Sequence, residues 1–370
     1  MKQVLKFIHI SDLHFSKEAN CYNIPSAFFD NKFKDVFVDV LKKKFKNQNK
    51  YKLKAVYPHS YNSEIFIKLN QKLMDIYQNE YLSTGNNIDF IAITGDIATT
   101  ADEEDLTVAK SLLSGTKTLE TITGIPHDTS LGNNKNTISF YGSSQVLPGN
   151  HDRFQIYEDT DFREQGLETF SEVFHELWEK DKRIKMTKSD KCLHIFVDFS
   201  LPKDFHDGMY FDHDNNKKLN AVNKYASYLG RGIYTKKIKK ELEDLLERIS
   251  KSALKDKKIL FFSHFSLISK KKSLRLINAK MLIDTLKKYH ITTYFCGHTH
   301  EQDFNTIENS ITHICCGSTT GCGDTDHNYS FFTHSIYHDE EDKYILETNP
   351  YVYNNKEKSF KKENSTRFTI

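Results

Sequence analysis

The chain has 370 residues, long enough to bury a large core, and its 38% hydrophobic, 13% aromatic and 28% charged residues are those of a globular protein. The formal charge is only +2, so the overall balance demands neither a nucleic acid nor a membrane surface as partner. No run reaches the roughly 18 apolar residues of a transmembrane helix, and the opening apolar run is too short for a signal peptide, so a cytoplasmic location is expected.

The first predicted strand, Val4–Ile10, runs into Asp12-Leu13-His14. A long stretch follows, in which residues 15–62 read as an insertion. It carries an amphipathic stripe (Phe33, Val36, Phe37, Val40, Leu41) and the basic run Lys42-Lys43-Lys44. It either caps a substrate or packs as scaffold. The strand Asp89–Thr94 then ends in Gly95-Asp96, and Asp102–Leu113 reads as a helix. Ser139–Leu147 is a third strand, ending in Gly149-Asn150-His151-Asp152-Arg153.

Glu168–Lys180 has helical spacing and Cys192–Phe199 strand character. Residues 201–229 read as a second, solvated insertion whose aromatic residues could stack on a base. A helical stripe (Leu242, Leu245, Leu246, Ile249) precedes the strand Lys258–Ser263, which ends in His264. Lys270-Lys271-Lys272 and Arg275 follow closely, as an attractor for an anionic substrate or as a plain exposed charge run. After the helix Lys280–Tyr289 comes the strand Thr292–Cys296, ending in Gly297-His298-Thr299-His300.

Beyond residue 300 the segments Phe304–Glu308, Ile311–Cys315, Phe331–His338 and Lys343–Glu347 read as successive strands, suggesting a second sheet packed on the first. The end, Asn354 to Arg367, is polar and reads as a frayed tail. One domain over residues 1–350 with a tail at 351–370 is the simplest organisation. The six cysteines show no disulfide or zinc spacing and read as reduced thiols, although Cys315, Cys316 and Cys322 lie close enough in sequence to bind a soft metal.

Five polar clusters thus sit at strand ends, where the sites of open α/β sheets form. Singly each is weak, because Asp and Gly are ordinary turn residues and a lone His is usually hydrogen-bonded structure. Together, and in this order, they resemble the signature of the calcineurin-like metallophosphoesterases: Asp-x-His, Gly-Asp, Gly-Asn-His-Asp, a lone His and Gly-His-x-His. The resemblance implies a mixed α/β fold, a four-layer αββα sandwich of two mixed β-sheets flanked by helices. A dimetal site would lie at the carboxyl edge of the strands.

It further implies that Asp12, His14, Asp96 and His300 hold one metal. Asp96, Asn150, His264 and His298 would hold the other, with Asp96 bridging. Imidazole and carboxylate donors suit two divalent transition metals from Mn, Fe, Zn, Co and Ni. Such a pair binds phosphoryl oxygens and lowers the pKa of a water. His151 is left over to protonate the departing oxygen, with Asp152 to fix its tautomer or to cap the turn. Arg153 contacts phosphate or forms an ion pair, and Lys270 is the candidate among the basic residues.

The substrate is then a phosphoester, with a nucleotide among the candidates. Gly149-Asn150-His151-Asp152-Arg153 and Gly230-Arg231-Gly232-Ile233-Tyr234 look closest to the class III cyclic-nucleotide phosphodiesterase branch. Two departures weaken that substrate assignment: Phe262-Ser263-His264 stands in place of a His-His-Pro run, and Ile97-Ala98-Thr99 lacks an acidic residue. Phosphomonoester, phosphoprotein, nucleic-acid or phospholipid hydrolysis is the alternative. A metal-free scaffold of the same fold is the non-enzyme reading, and the full ligand set argues against it.

Overall fold

The computed structural model describes residues 1–16, 60–85, 88–116, 144–153, 164–200, 211–212, 214–215, 217–218, 230–322 and 329–370. In chain order, its first half holds β1 (Lys2–Ile10), β2 (Ser60–Tyr61), α1 (Ser63–Thr84), β3 (Phe90–Thr94), α2 (Glu103–Ser114), β4 (Ser144–Leu147) and α3 (Glu164–Val173). Then come β5 (Ile184–Lys188), β6 (Cys192–Val197), β7 (Phe211–Asp212), β8 (Lys217–Lys218), α4 (Lys236–Ser250), β9 (Lys258–Phe262) and α5 (Ala279–Lys288). The remainder is β10 (Thr293–Cys296), β11 (Asp303–Ile307), β12 (Ile311–Cys315), β13 (Gly321–Cys322), β14 (Ser330–His338), β15 (Tyr344–Asn354), β16 (Ser359–Lys362) and β17 (Thr366–Thr369).

Two mixed sheets dominate. The first runs β16-β15-β14-β1-β3-β4, with β17 also on β15, and the second runs β11-β12-β10-β9-β6-β5. Strands β1, β3 and β4 are parallel neighbours, as are β6, β9, β10 and β12. Because side chains alternate along a strand, Phe7 and Ile8 face opposite sides of the first sheet. Phe7 stacks on Phe90 at 4.9 Å and meets Phe262 and Phe295 of the second sheet edge-on at 5.7 and 5.4 Å. This aromatic seam joins the sheets face to face.

Helices cover both outer faces. Phe66, Leu69 and Leu73 of α1 and Leu106, Ala109 and Leu113 of α2 belong to the core that contains the first sheet. Leu242 and Leu246 of α4 and Leu282 and Leu286 of α5 pack with Leu193, Ile195, Phe261 and Tyr294 of the second. The architecture is therefore the expected four-layer sandwich. Among the described residues, no helix is long and apolar enough to cross a membrane.

Several expectations change. The strands after residue 300 do not make a sheet of their own, since β11 and β12 extend the second sheet while β14 to β17 complete the first. The C-terminal end is not frayed: β17 pairs the first half of β15, β16 pairs its second half, and Phe360 is 2% exposed. Backbone pairing supplies there what a polar composition conceals. The single-domain boundary at 350 accordingly falls inside β15.

The 22-residue helix α1 was not anticipated, although Asn62 caps its start, accepting from the Ile65 N–H, and Gly85 closes it in the left-handed conformation. The short strand β5, only half buried, also escaped notice. The helix expected at Glu168–Lys180 starts earlier and ends at Val173. The stripe Phe33–Leu41, the run Lys42–Lys44, Cys21, the start of the Ser139 strand and nearly all of residues 201–229 lie outside the described residues.

Candidate metal centre

Each of the five clusters leaves a parallel strand at the same edge. Asp12 and His14 follow β1, Asp96 follows β3, Asn150 follows β4, His264 follows β9, and His298 and His300 follow β10. Asp12, His14, Asp96, His298 and His300 all have positive φ, between 50° and 71°. L-residues adopt that conformation at a cost that surrounding structure must repay, and it concentrates at functional sites. Here it bends the turns after β1, β3 and β10, whose ligand side chains are buried. Backbone bonds fasten the turns to one another: the Asp12 N–H donates to the Gly95 carbonyl and the His14 N–H to the Asp96 carbonyl, at 3.1 and 3.0 Å. Close approach also explains Gly149, where a Cβ would lie 2.2 Å from Asp96 Oδ1.

The ligand atoms fall into three groups: Asp12 with His14 and His300, His14 with Asp96 and His151, and Asp96 with His264 and His298. In each group the atoms lie within 4.8 Å of one another. On one side His300 Nε2 is 3.3 Å from Asp12 Oδ1 and 3.2 Å from His14 Nε2. On the other, His264 Nε2 is 3.2 Å from Asp96 Oδ2, 3.1 Å from Asn150 Oδ1 and 3.1 Å from His298 Nδ1. Asp96 Oδ2 also lies 3.9 Å from His14 Nε2, so one carboxylate oxygen faces both sides.

The ring orientations are set from behind. His264 Nδ1 lies 2.7 Å from the Thr94 carbonyl, which can only accept, so Nδ1 carries the proton and Nε2 is presented to the cluster. His298 is fixed in turn through its backbone N–H, which donates to Asp12 Oδ2 at 2.9 Å.

These residues fit a cation. Asp12 Oδ1 is buried without a hydrogen-bond partner among the described residues, although it sits amid imidazoles. Burial pushes the Asp12 and Asp96 carboxyls up, yet the surrounding imidazoles hold both below their ordinary values. Burial pushes His264 down, but Asp96 raises it to about 9. Burial and the neighbouring His264 lower His298 to about 3. A place that keeps two carboxylates ionised and favours an imidazolium between them favours positive charge.

His151 is buried with these groups, and its Nδ1 lies 2.8 Å from the Thr99 carbonyl. That bond, not Asp152, assigns its tautomer. The expected orienting role of Asp152 is corrected: its carboxylate accepts from the N–H groups of Ile97, Ala98 and Gly149 at 2.8–3.2 Å, tying the β4 turn to the β3 turn. Burial, with the charge of Asp96, raises it to about 7.

Arg153 ion-pairs with the buried Asp198, the competing reading for that side chain, and Arg183 shares the same carboxylate at 3.3 Å. Lys270 is exposed, and no hydrogen bond or ion pair among the described residues ties it to the cluster. Cys315 and Cys316 are buried thiols. Cys315 Sγ donates to the Gly297 carbonyl at 3.1 Å, and neither thiol joins a candidate metal group among the described residues.

One contributor was overlooked. Gly317-Ser318-Thr319-Thr320-Gly321 follows β12 at the same edge and touches the Asp12–His14 turn through its hydroxyls. Its position after a strand was the available signal, but Ser and Thr do not announce metal chemistry.

The family model described as calcineurin-like phosphoesterase matches residues 5–302. Curated protein sequences gave no match. Among solved structures the chain is similar to a dimetal phosphatase from Danio rerio, at 11% identity over 100% of this chain and 99% of that one, with a TM-score of 0.51. It is also similar to a 5′-nucleotidase from Candida albicans, at 10% identity over 91% of this chain and 48% of that one, with a TM-score of 0.38.

Proposed function

Because the chain belongs to the calcineurin-like phosphoesterase family and is thereby a metal-dependent phosphoester hydrolase, we propose that it cleaves small phosphodiesters, cyclic nucleotides among them. Two divalent cations would be held at the strand ends. Asp12, His14, Asp96 and His300 would hold one, and Asp96, Asn150, His264 and His298 the other. Bound there, such ions supply charge stabilisation to the phosphoryl oxygens and acidify a water.

The chain's own groups do the rest. His151, whose Nδ1–H is held by the Thr99 carbonyl, turns a bare Nε2 to the site. It would therefore give a proton to the departing oxygen only from its doubly protonated form, which burial disfavours and the charge of Asp96 favours. Asn150 contributes a neutral donor atom, so ligand charge is not added where the phosphate must approach. The observation that carries the two-cation reading is Asp96 Oδ2, which faces His264 on one side and His14 on the other.

The diester preference rests on the resemblance of the runs Gly149–Arg153 and Gly230–Tyr234 to the class III cyclic-nucleotide phosphodiesterase branch; Gly232 packs against the Phe265 ring, which is 4.9 Å from His298. The test is a hydrolysis screen in Mn²⁺ comparing bis-p-nitrophenyl phosphate with p-nitrophenyl phosphate, followed by cyclic nucleotides. Faster cleavage of the diester is expected. Preference for the monoester would make the protein a phosphomonoesterase, and a metal-loaded but inert protein would make it a scaffold.

A further inference from the structure

The turn carrying Asp12 and His14 is strained twice in three residues, with φ of 53° at both ligands. What holds it there is a segment outside the ligand set. The Thr319 N–H donates to the Ser11 carbonyl at 2.9 Å, and the Gly321 N–H donates to the Asp12 carbonyl at 3.0 Å. Ser318 Oγ lies 3.0 Å from the same Asp12 carbonyl and 2.8 Å from that of Gly321. Thr320 Oγ1 donates to the Leu13 carbonyl at 2.8 Å. Thr319 Oγ1 accepts from the Ser11 N–H at 3.1 Å and donates to the Ser330 carbonyl at 3.0 Å.

The carbonyls of Ser11, Asp12 and Leu13 are therefore all taken by this one strap. Thr99 Oγ1 takes that of His14, at 2.7 Å. Ser318, Thr319 and Thr320 are fully buried, so water does not replace these hydroxyls without opening the turn. The strap also presses on the His14 ring: a Cβ on Gly321 would lie 2.4 Å from His14 Cδ2. It is anchored at both ends. The Ser330 N–H donates to the Ser318 carbonyl, the Asn62 N–H donates to that of Thr320, and β13 pairs with β2.

We propose that Ser318, Thr319 and Thr320 are positioning residues of the metal centre, whose hydroxyls hold the Asp12–His14 backbone in its left-handed form so that both ligands are preset for a cation. Groups that fix ligand orientation from behind are worth roughly 10–100-fold in metal affinity. The inference rests on the metal-centre reading above.

Thr320 gives the cleanest test, because Leu13 lies between the two ligands and Thr→Val removes the hydroxyl at nearly constant shape. Mn²⁺ affinity, measured by equilibrium dialysis or calorimetry on wild type, Thr320→Val and Thr320→Ser, is read beside the melting temperature of the metal-free proteins. The Val variant should bind Mn²⁺ on the order of ten-fold or more weakly, whereas the Ser variant, which keeps the hydroxyl, should bind within a few-fold of wild type. If Thr320→Val fails to fold, Ser318→Ala, which leaves the Gly321 N–H on the Asp12 carbonyl, should show a smaller loss of the same kind. Wild-type affinity in the Val variant overturns the inference, as does equal weakening in Val and Ser variants that tracks melting temperature. A wild type that binds no Mn²⁺ removes the metal reading as well, a result distinct from either.

Discussion

Asp96 answers several demands at one position. Its backbone is left-handed, its Oδ1 accepts the His151 N–H at 2.8 Å, and its Oδ2 faces both halves of the cluster. His151 sits against it, and as the proposed proton donor it can be tested apart from cation binding. His151→Ala should lower the rate by roughly 10²–10⁴ on substrates with alkoxide leaving groups. The loss should be clearly smaller on p-nitrophenyl esters, whose phenolate leaves without help. Equal losses on both substrates would mean that the residue positions phosphate or water, and loss of bound cation would make it a ligand, as its grouping with His14 and Asp96 allows. At this scale the site was legible, because Gly-Asn-His-Asp and Gly-His-Thr-His carry their chemistry in the residue types themselves. The role of Asp152 was legible only as one of two alternatives, and the turn-capping one holds. Its neighbour in sequence is His151, but its carboxylate binds backbone N–H groups 54–55 residues away, which only the fold brings near.

Among the elements, β16 and β17 show where composition misleads. Both are short and polar, β16 with two Lys and β17 with Arg and two Thr, yet each completes half of β15. Phe360 is the anchor, with ring contacts of 5.2 Å to Phe331 and 5.3 Å to Tyr353. Phe360→Ala should destabilise the protein by about 3–5 kcal/mol, as expected for a buried aromatic cut back to methyl, seen as a lower urea midpoint. A frayed tail would show no more than about 0.5 kcal/mol, the ordinary effect of a surface change. Helix α1 failed to be read for a different reason. Its apolar spacing and both caps are present, but it begins directly after the stretch 15–62 that reads as an insertion, with no predicted strand before it to frame it.

For the whole molecule, sheet membership was the hardest thing to read. β1 pairs with β14 from the far end of the chain, through partners such as Phe7 with His334. No local pattern encodes such a partner, since hydrophobic periodicity gives an element's type and leaves its neighbour open. The convergence of the five clusters was nonetheless foreseeable, because parallel strands put their carboxyl ends on one edge. That convergence makes the molecule a cation-binding device, and cation count tests it most directly. Elemental analysis of Mn²⁺-loaded protein should find two ions per chain in the wild type. In Asp96→Asn, which alters the one carboxylate facing both sides, occupancy of both sites should fall together with activity. A wild type that takes up no metal, or an Asp96→Asn protein that keeps two ions and near-wild-type turnover, would contradict the account.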